Sequence, residues 1–180
     1  MKYNTKNLTL GALFLALGLV LPFVTGQILQ IGSMLLPMHL PVFLCGLICG
    51  WQYGALVGAV TPLLRSVLFG MPPLFPTATA MAFELLTYGL VTGLLYGRSR
   101  RQGMAALYRS LLAGMVAGRL VWGCVQGLLL GLSGNSFTLQ MFLAGSLLNA
   151  VPGIVLQLVL IPAVMAALDR TGLVPYRQNA

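Results

Sequence analysis

Charge is nearly absent from this chain. Of its 180 residues only 7% are charged, two are acidic and one is a histidine. A soluble domain carries about 25% charged residues, so the polar surface that solubility needs is missing. The same scarcity removes most enzyme chemistry. There are no paired carboxylates, no Ser/His/Asp set, no phosphate-cradling glycine loop and no cluster of metal ligands. Cysteine is sparse too. Cys45, Cys49 and Cys124 all fall in apolar runs, and no histidine or further cysteine lies at ligand spacing. They read as small buried side chains, not as a disulfide or zinc site.

What is present is hydrocarbon. Hydrophobic residues make up 58% of the chain, with 22 glycines and a mean hydropathy of +0.94. Runs such as Leu8–Val24 and Val155–Leu168 do not alternate apolar with polar residues, which excludes a membrane β-barrel and leaves helices. At roughly 20 residues per crossing the length allows about five to seven spans in one domain, residues 1–180. The net charge of +8 is not a nucleic-acid signature, because the basic residues cluster at helix ends, where they orient a protein in a bilayer. Lys2 and Lys6 precede Leu8–Val24, but no small-x-small cleavage site follows and Pro22 lies near the end of the run. This segment reads as a first span rather than a signal peptide.

Six segments are predicted: Leu8–Val24, Pro37–Cys49, Gly54–Phe69, Thr77–Tyr96, Ala105–Leu132 and Leu139–Leu168. A turn at Gly50-Trp51-Gln52-Tyr53 separates the second from the third, and Gly70–Pro76 is too proline-rich for helix. The second and third are short, so five spans plus a re-entrant piece is the alternative. Charge favours six. Lys2 and Lys6, then Arg98, Arg100, Arg101 and Arg109, then Arg170 and Arg177 all fall on one side, whereas the loops Thr25–Leu36, Gly70–Pro76 and Ser133–Ser136 carry no Lys or Arg. The positive-inside rule makes the basic side cytoplasmic, with both termini there. The expected fold is an all-α bundle of six transmembrane helices. Glycines spaced by four (Gly46/Gly50/Gly54/Gly58, Gly89/Gly93/Gly97, Gly114/Gly118, Gly123/Gly127/Gly131) predict close helix contacts. Pro62 and Pro152 are expected to kink or interrupt their helices, freeing backbone groups that the protein must satisfy.

Against this background Arg65, Glu84 and Arg119 stand out, because a charge at membrane depth costs at least about 2.5–3.5 kcal/mol and normally faces a partner or water. The six-span layout puts them in the outer half with His39 and Asn149. Bland readings exist for each. Arg65 snorkels to headgroups; Glu84 and Arg119 form a structural pair; His39 caps a helix beside Pro41; Asn149 serves backbone groups freed by Pro152. Taken together, two arginines against one glutamate predict an outward-facing site for an anion. Tyr88 follows Glu84 at i+4, and Trp122 and Gln126 follow Arg119 at i+3 and i+7, so they share the faces of those charges.

The stretches Ala12-Leu13-Phe14-Leu15-Ala16, Leu36-Pro37-Met38-His39-Leu40-Pro41-Val42, Thr61-Pro62-Leu63-Leu64-Arg65-Ser66, Gly70-Met71-Pro72-Pro73 and Met81-Ala82-Phe83-Glu84-Leu85 resemble, in this order, the substrate-binding S components of energy-coupling factor (ECF) vitamin transporters. The proline–histidine and glycine–proline pieces are the more specific ones. The resemblance implies a vitamin bound near the outer face, and docking on a transmembrane T component through the small residues Ala12 and Ala16. It also implies two cytoplasmic ATPases that use the ATP, so the chain needs no cofactor of its own. The pantothenate type is the nearest subgroup; folate, nicotinate and phosphorylated B6 vitamers are also anionic. The implied residence is the bacterial plasma membrane. The competing expectation is a self-sufficient carrier that exchanges an organic anion for protons, with Glu84 as the titrating group.

Overall fold

The computed structural model describes residues 5–25, 36–134, 138–143, 150–172 and 174. Among them the chain is helical and forms no strand. Helix α1 (Thr5–Thr25) is followed by α2 (His39–Cys49) and α3 (Trp51–Phe69). A one-turn π-type element at Leu74–Ala78 leads into α4 (Thr79–Arg98). Then come α5 (Met104–Leu132), the short α6 (Leu139–Leu143) and α7 (Val151–Arg170).

Among the described residues four helical stretches are long and apolar enough to cross a membrane: Thr5–Val24, Leu74–Arg98, Met104–Leu132 and Val151–Arg170. The 11-residue α2 is apolar but shorter. Helix α3 has 19 residues, and Gln52 and Arg65 hold its hydropathy down. Among the described residues seven helices therefore stand against the six expected segments. The predicted Leu139–Leu168 corresponds to α6 and α7, with residues 144–149 outside the described residues. Pro152, expected to kink or interrupt its helix, marks a helix start and not a bend. It occupies the first turn of α7, where its missing N–H would have no helical partner anyway.

The turn before the third helix is tighter than the sequence implied. The expected turn Gly50–Tyr53 shrinks to Gly50 alone, at φ +94°, a conformation glycine adopts without the Cβ clash. Helix α3 starts at once on Trp51 and runs through Pro62. It closes at Gly70, in the left-handed region at φ +71°, whose N–H reaches Ser66 O at 2.9 Å. Gly70–Pro76 stays out of regular α-helix through Phe75, which keeps extended backbone (φ −121°, ψ 134°) inside the π-type turn.

Helices α2, α3 and α4 meet at backbone distance. A Cβ on Gly46 would lie 2.7 Å from Gly89 O, and one on Gly54 would lie 2.6 Å from Gly46 Cα. A Cβ on Gly93 would lie 2.6 Å from Trp51 Cα. Gly97 and Gly131, although in register with the others, have nothing within 4 Å. Around this seam Val42, Phe43, Leu85, Leu107 and Leu111 are fully buried, joined by Ile161 and Met165 of α7. Helix α1 turns Gly11, Phe14 and Gly18 inward and leaves Ala12, Leu13, Ala16, Leu17 and Val20 exposed.

Candidate ligand site

The polar centre grows out of the tight seam. Glu84 and Tyr88 lie one turn apart on the buried face of α4. Tyr88 packs against α5 because Gly118 has no side chain: a Cβ there would collide with the Tyr88 ring. Phe43 of α2 stacks on the other side, with centroids 4.8 Å apart and planes 28° apart. Held in this slot, the Tyr88 hydroxyl donates to Glu84 Oε1 at 2.7 Å.

Two further groups converge on the same oxygen. Arg119, one residue beyond Gly118 on α5, places Nη1 at 2.9 Å. His39, the first residue of α2, places Nε2 at 3.7 Å, beyond hydrogen-bond length. His39 is fixed by its backbone N–H, which donates to Leu36 O at 3.0 Å, and by its ring, 5.4 Å from that of Tyr88. Glu84 is 1% exposed and His39 2%, while the Arg119 side chain keeps 14%. The carboxylate is thus closed off, and the Arg119 side chain is partly exposed although its Nε and Nη2 atoms are buried.

The cluster does not satisfy itself. Arg119 Nε and Nη2, both His39 ring nitrogens and Gln126 Oε1 are buried and make no hydrogen bond. Native proteins pair most buried polar groups, since each one left alone costs about 1–3 kcal/mol. The unused atoms of Arg119 have a particular geometry. With Nη1 given to Glu84, Nε and Nη2 form the adjacent edge of the fork, two parallel N–H groups that match a carboxylate bidentately.

Of the residues singled out in the sequence, the structure gathers His39, Glu84, Tyr88 and Arg119. Trp122 stands one turn from Arg119 and stacks on Phe142 of α6, with centroids 6.2 Å apart. Asn149 lies outside the described residues. Arg65 is placed elsewhere. Its Nη1 donates to Leu19 O of α1 at 2.7 Å, and its guanidinium lies over the rings of Phe23 (4.7 Å) and Phe69 (5.7 Å). The pairing of two arginines against one glutamate therefore does not form: Arg119 balances Glu84 one for one, and what remains is a surplus of donors. Two contributors escaped the sequence reading. Phe43 is anonymous within an apolar run. Gln157, 2% exposed, reaches Leu36 O at 3.5 Å and ties α7 to the start of α2, although a polar residue in the run Val155–Leu168 was a usable signal.

Arg65 makes a separate prediction. Arg65→Gln removes a charge-assisted hydrogen bond and a cation–π contact, together about 1–3 kcal/mol at this partly buried position. Lower thermal stability in detergent with ligand affinity unchanged within about threefold is expected. A collapse of affinity would put Arg65 in the site.

Several long apolar helices define a class, a multi-pass membrane protein, and the buried unpaired donors make its polar cluster a candidate site for a polar solute. The particular family follows from the chain as a whole. Residues 6–165 match the family model "ECF transporter, substrate-specific component", and the chain belongs to that family. No curated protein and no solved structure gives a significant match. The family is one of transporter substrate-binding components rather than enzymes. Membership implies a substrate and a partnership with a T component and ATPases.

Proposed function

We propose that this chain is the high-affinity binding subunit of an ECF-type importer for a small anionic vitamin or precursor, with pantothenate the first candidate. The observation that carries the reading is the free Nε/Nη2 edge of Arg119, buried beside a histidine with two unpartnered nitrogens. Burial sharpens the preference for an acid, because a charge-assisted bond to a carboxylate is about twice as strong as a neutral one. Glu84 and Tyr88 are positioning residues here. They anchor Nη1 and leave the other edge facing the ligand.

With α2 and α3 counted as crossings beside the four long spans, the chain crosses six times and its basic clusters share the cytoplasmic side. His39 then begins α2 at the outer end, and Glu84 lies five residues into an inward-running α4, roughly 7.5 Å deep. The site faces the exterior of a bacterial plasma membrane. On α1, Ala12 and Ala16 lie on the exposed stripe, a flat surface on which a T-component helix can approach closely. Two ATPases on that scaffold supply the energy.

Calorimetric titration of the detergent-purified chain with pantothenate, alongside native mass spectrometry for a retained molecule, tests the site. Binding of an acid is expected; a retained neutral or cationic molecule would overturn the reading. Uptake into vesicles is expected only when the T component and ATPases are co-expressed. Full transport by the purified chain alone in liposomes would replace the importer with a self-powered carrier. Ala12→Trp or Ala16→Trp should cut uptake at least about tenfold and leave ligand affinity intact, since neither side chain faces the core. Equal loss of binding would make α1 a structural helix only.

A further inference from the structure

We propose that Gln126 sets the specificity of this site, accepting a hydrogen bond from a neutral hydroxyl that the substrate carries about 10 Å from its acid group, the length of seven residues at ~1.5 Å each. The inference rests on the anion-site reading above and extends it from one end of the ligand to both.

Gln126 Oε1 is buried and unpartnered, like the free atoms of Arg119. The two residues lie seven apart on α5, two turns of one helix, so their side chains share a face. Trp122 stands between them on that face. Its stacking on Phe142, together with the fit of Phe142 against Gly123, holds α6 against this half of α5 and gives the face a rigid aromatic wall. The face thus offers a cationic fork at one end, a planar apolar surface in the middle and a neutral acceptor at the other end. An elongated acid with a distal donor satisfies all three.

The donor has to be neutral. Among the described residues the acids are Glu84, already engaged by Arg119 and Tyr88, and Asp169 at the far end of α7. An ammonium group beside Gln126 would be buried without a counter-charge, which is costly. A hydroxyl needs only the carboxamide oxygen.

The test uses the full chain in detergent and two probes: pantothenate, and its dideoxy analogue, which keeps the carboxylate and the amide and lacks both hydroxyls. The wild type should bind pantothenate at least about tenfold more tightly, because the analogue leaves a buried acceptor unmet. Gln126→Leu should bring the two affinities within about twofold by weakening pantothenate alone, with thermal stability unchanged or higher. A purely structural role would move both probes together. Equal binding of the two by the wild type, or a parallel loss in Gln126→Leu, would overturn the inference and leave the Arg119 anion site standing. Failure of both acids to bind the wild type would remove the anion site, and this inference with it.

Discussion

Arg119→Ala is expected to abolish or greatly weaken ligand binding. The lost interaction is a buried charge-assisted donor pair, and truncating such a group costs about 2–5 kcal/mol, or roughly 30- to 4,000-fold in affinity. The same change strips Glu84 of its cation. Glu84 is 1% exposed and keeps only the Tyr88 hydroxyl at 2.7 Å and His39 at 3.7 Å. Breaking a buried pair by removing one partner costs about 3–5 kcal/mol of stability, so lost binding alone could reflect a damaged fold. The double variant Arg119→Ala/Glu84→Gln separates the two effects, because it removes the orphaned charge. Its melting temperature should recover toward wild type while binding stays absent. Recovery of binding in the double variant would show that Arg119 acts only by neutralising Glu84. Titration and thermal unfolding on the same preparations decide it.

Gly89→Val should prevent accumulation of folded protein. A Cβ at Gly89 falls onto the Gly54 backbone carbonyl and within 2.8 Å of Ala55 N. Backbone atoms cannot swing aside as a flexible side chain does, so α3 and α4 would have to separate. Overpacking a core ordinarily costs about 1–3 kcal/mol, and a backbone obstacle at a seam of several glycines exceeds that range. Separation would also carry α4 away from α2, pulling Glu84 and Tyr88 off the positions that present Arg119. The control is Gly97→Ala, on the same helix and the same four-residue register, with nothing within 4 Å. It should leave stability unchanged or raise it by up to about 1 kcal/mol through helix propensity. Size-exclusion profiles and melting curves in detergent read both. A monodisperse Gly89→Val protein with wild-type melting would show that the seam tolerates expansion.

The contrast between Gly89 and Gly97 marks the limit of pattern reading. Spacing by four predicts that a stripe of small residues faces something, and for Gly46, Gly54, Gly58, Gly89 and Gly93 it does. The same spacing extends to Gly97, where α4 has run past its neighbours. Periodicity states which face a residue occupies and carries no information about where the opposing helix stops. Pro152 shows a related limit. A proline within a long apolar stretch is compatible with a kink or with a helix start, and local sequence does not choose between them.

Much of the buried polar cluster was legible because charges in hydrocarbon are expensive enough to be informative one at a time. Glu84 and Arg119 were expected in one polar cluster, their direct pairing only as the bland alternative, and Tyr88 was expected to share the face of Glu84 at i+4; Arg119 and Tyr88 both meet Glu84 at one carboxylate oxygen. His39 belonged to the same group and stands 3.7 Å away. Arg65 was expected beside them on equal terms. It is the same residue type at similar depth, yet its guanidinium goes to Leu19 O between two phenylalanines. The cost of a buried arginine is satisfied equally well by a carbonyl with aromatic faces and by a carboxylate, so composition cannot tell the two apart.

Composition and periodicity were sufficient for membrane residence, helical architecture and the short roster of polar residues with work to do. Each follows from a transfer free energy that depends on residue type and hardly on context. Which arginine meets the glutamate, and which edge of its guanidinium remains free, follows from helix–helix contact. Gly118 admits the Tyr88 ring, Phe43 stacks behind it, and only then does Arg119 lie with one nitrogen on Glu84 and two still unbonded. Those relations depend on distances between segments remote in the chain, and such distances exist only once the backbones have packed.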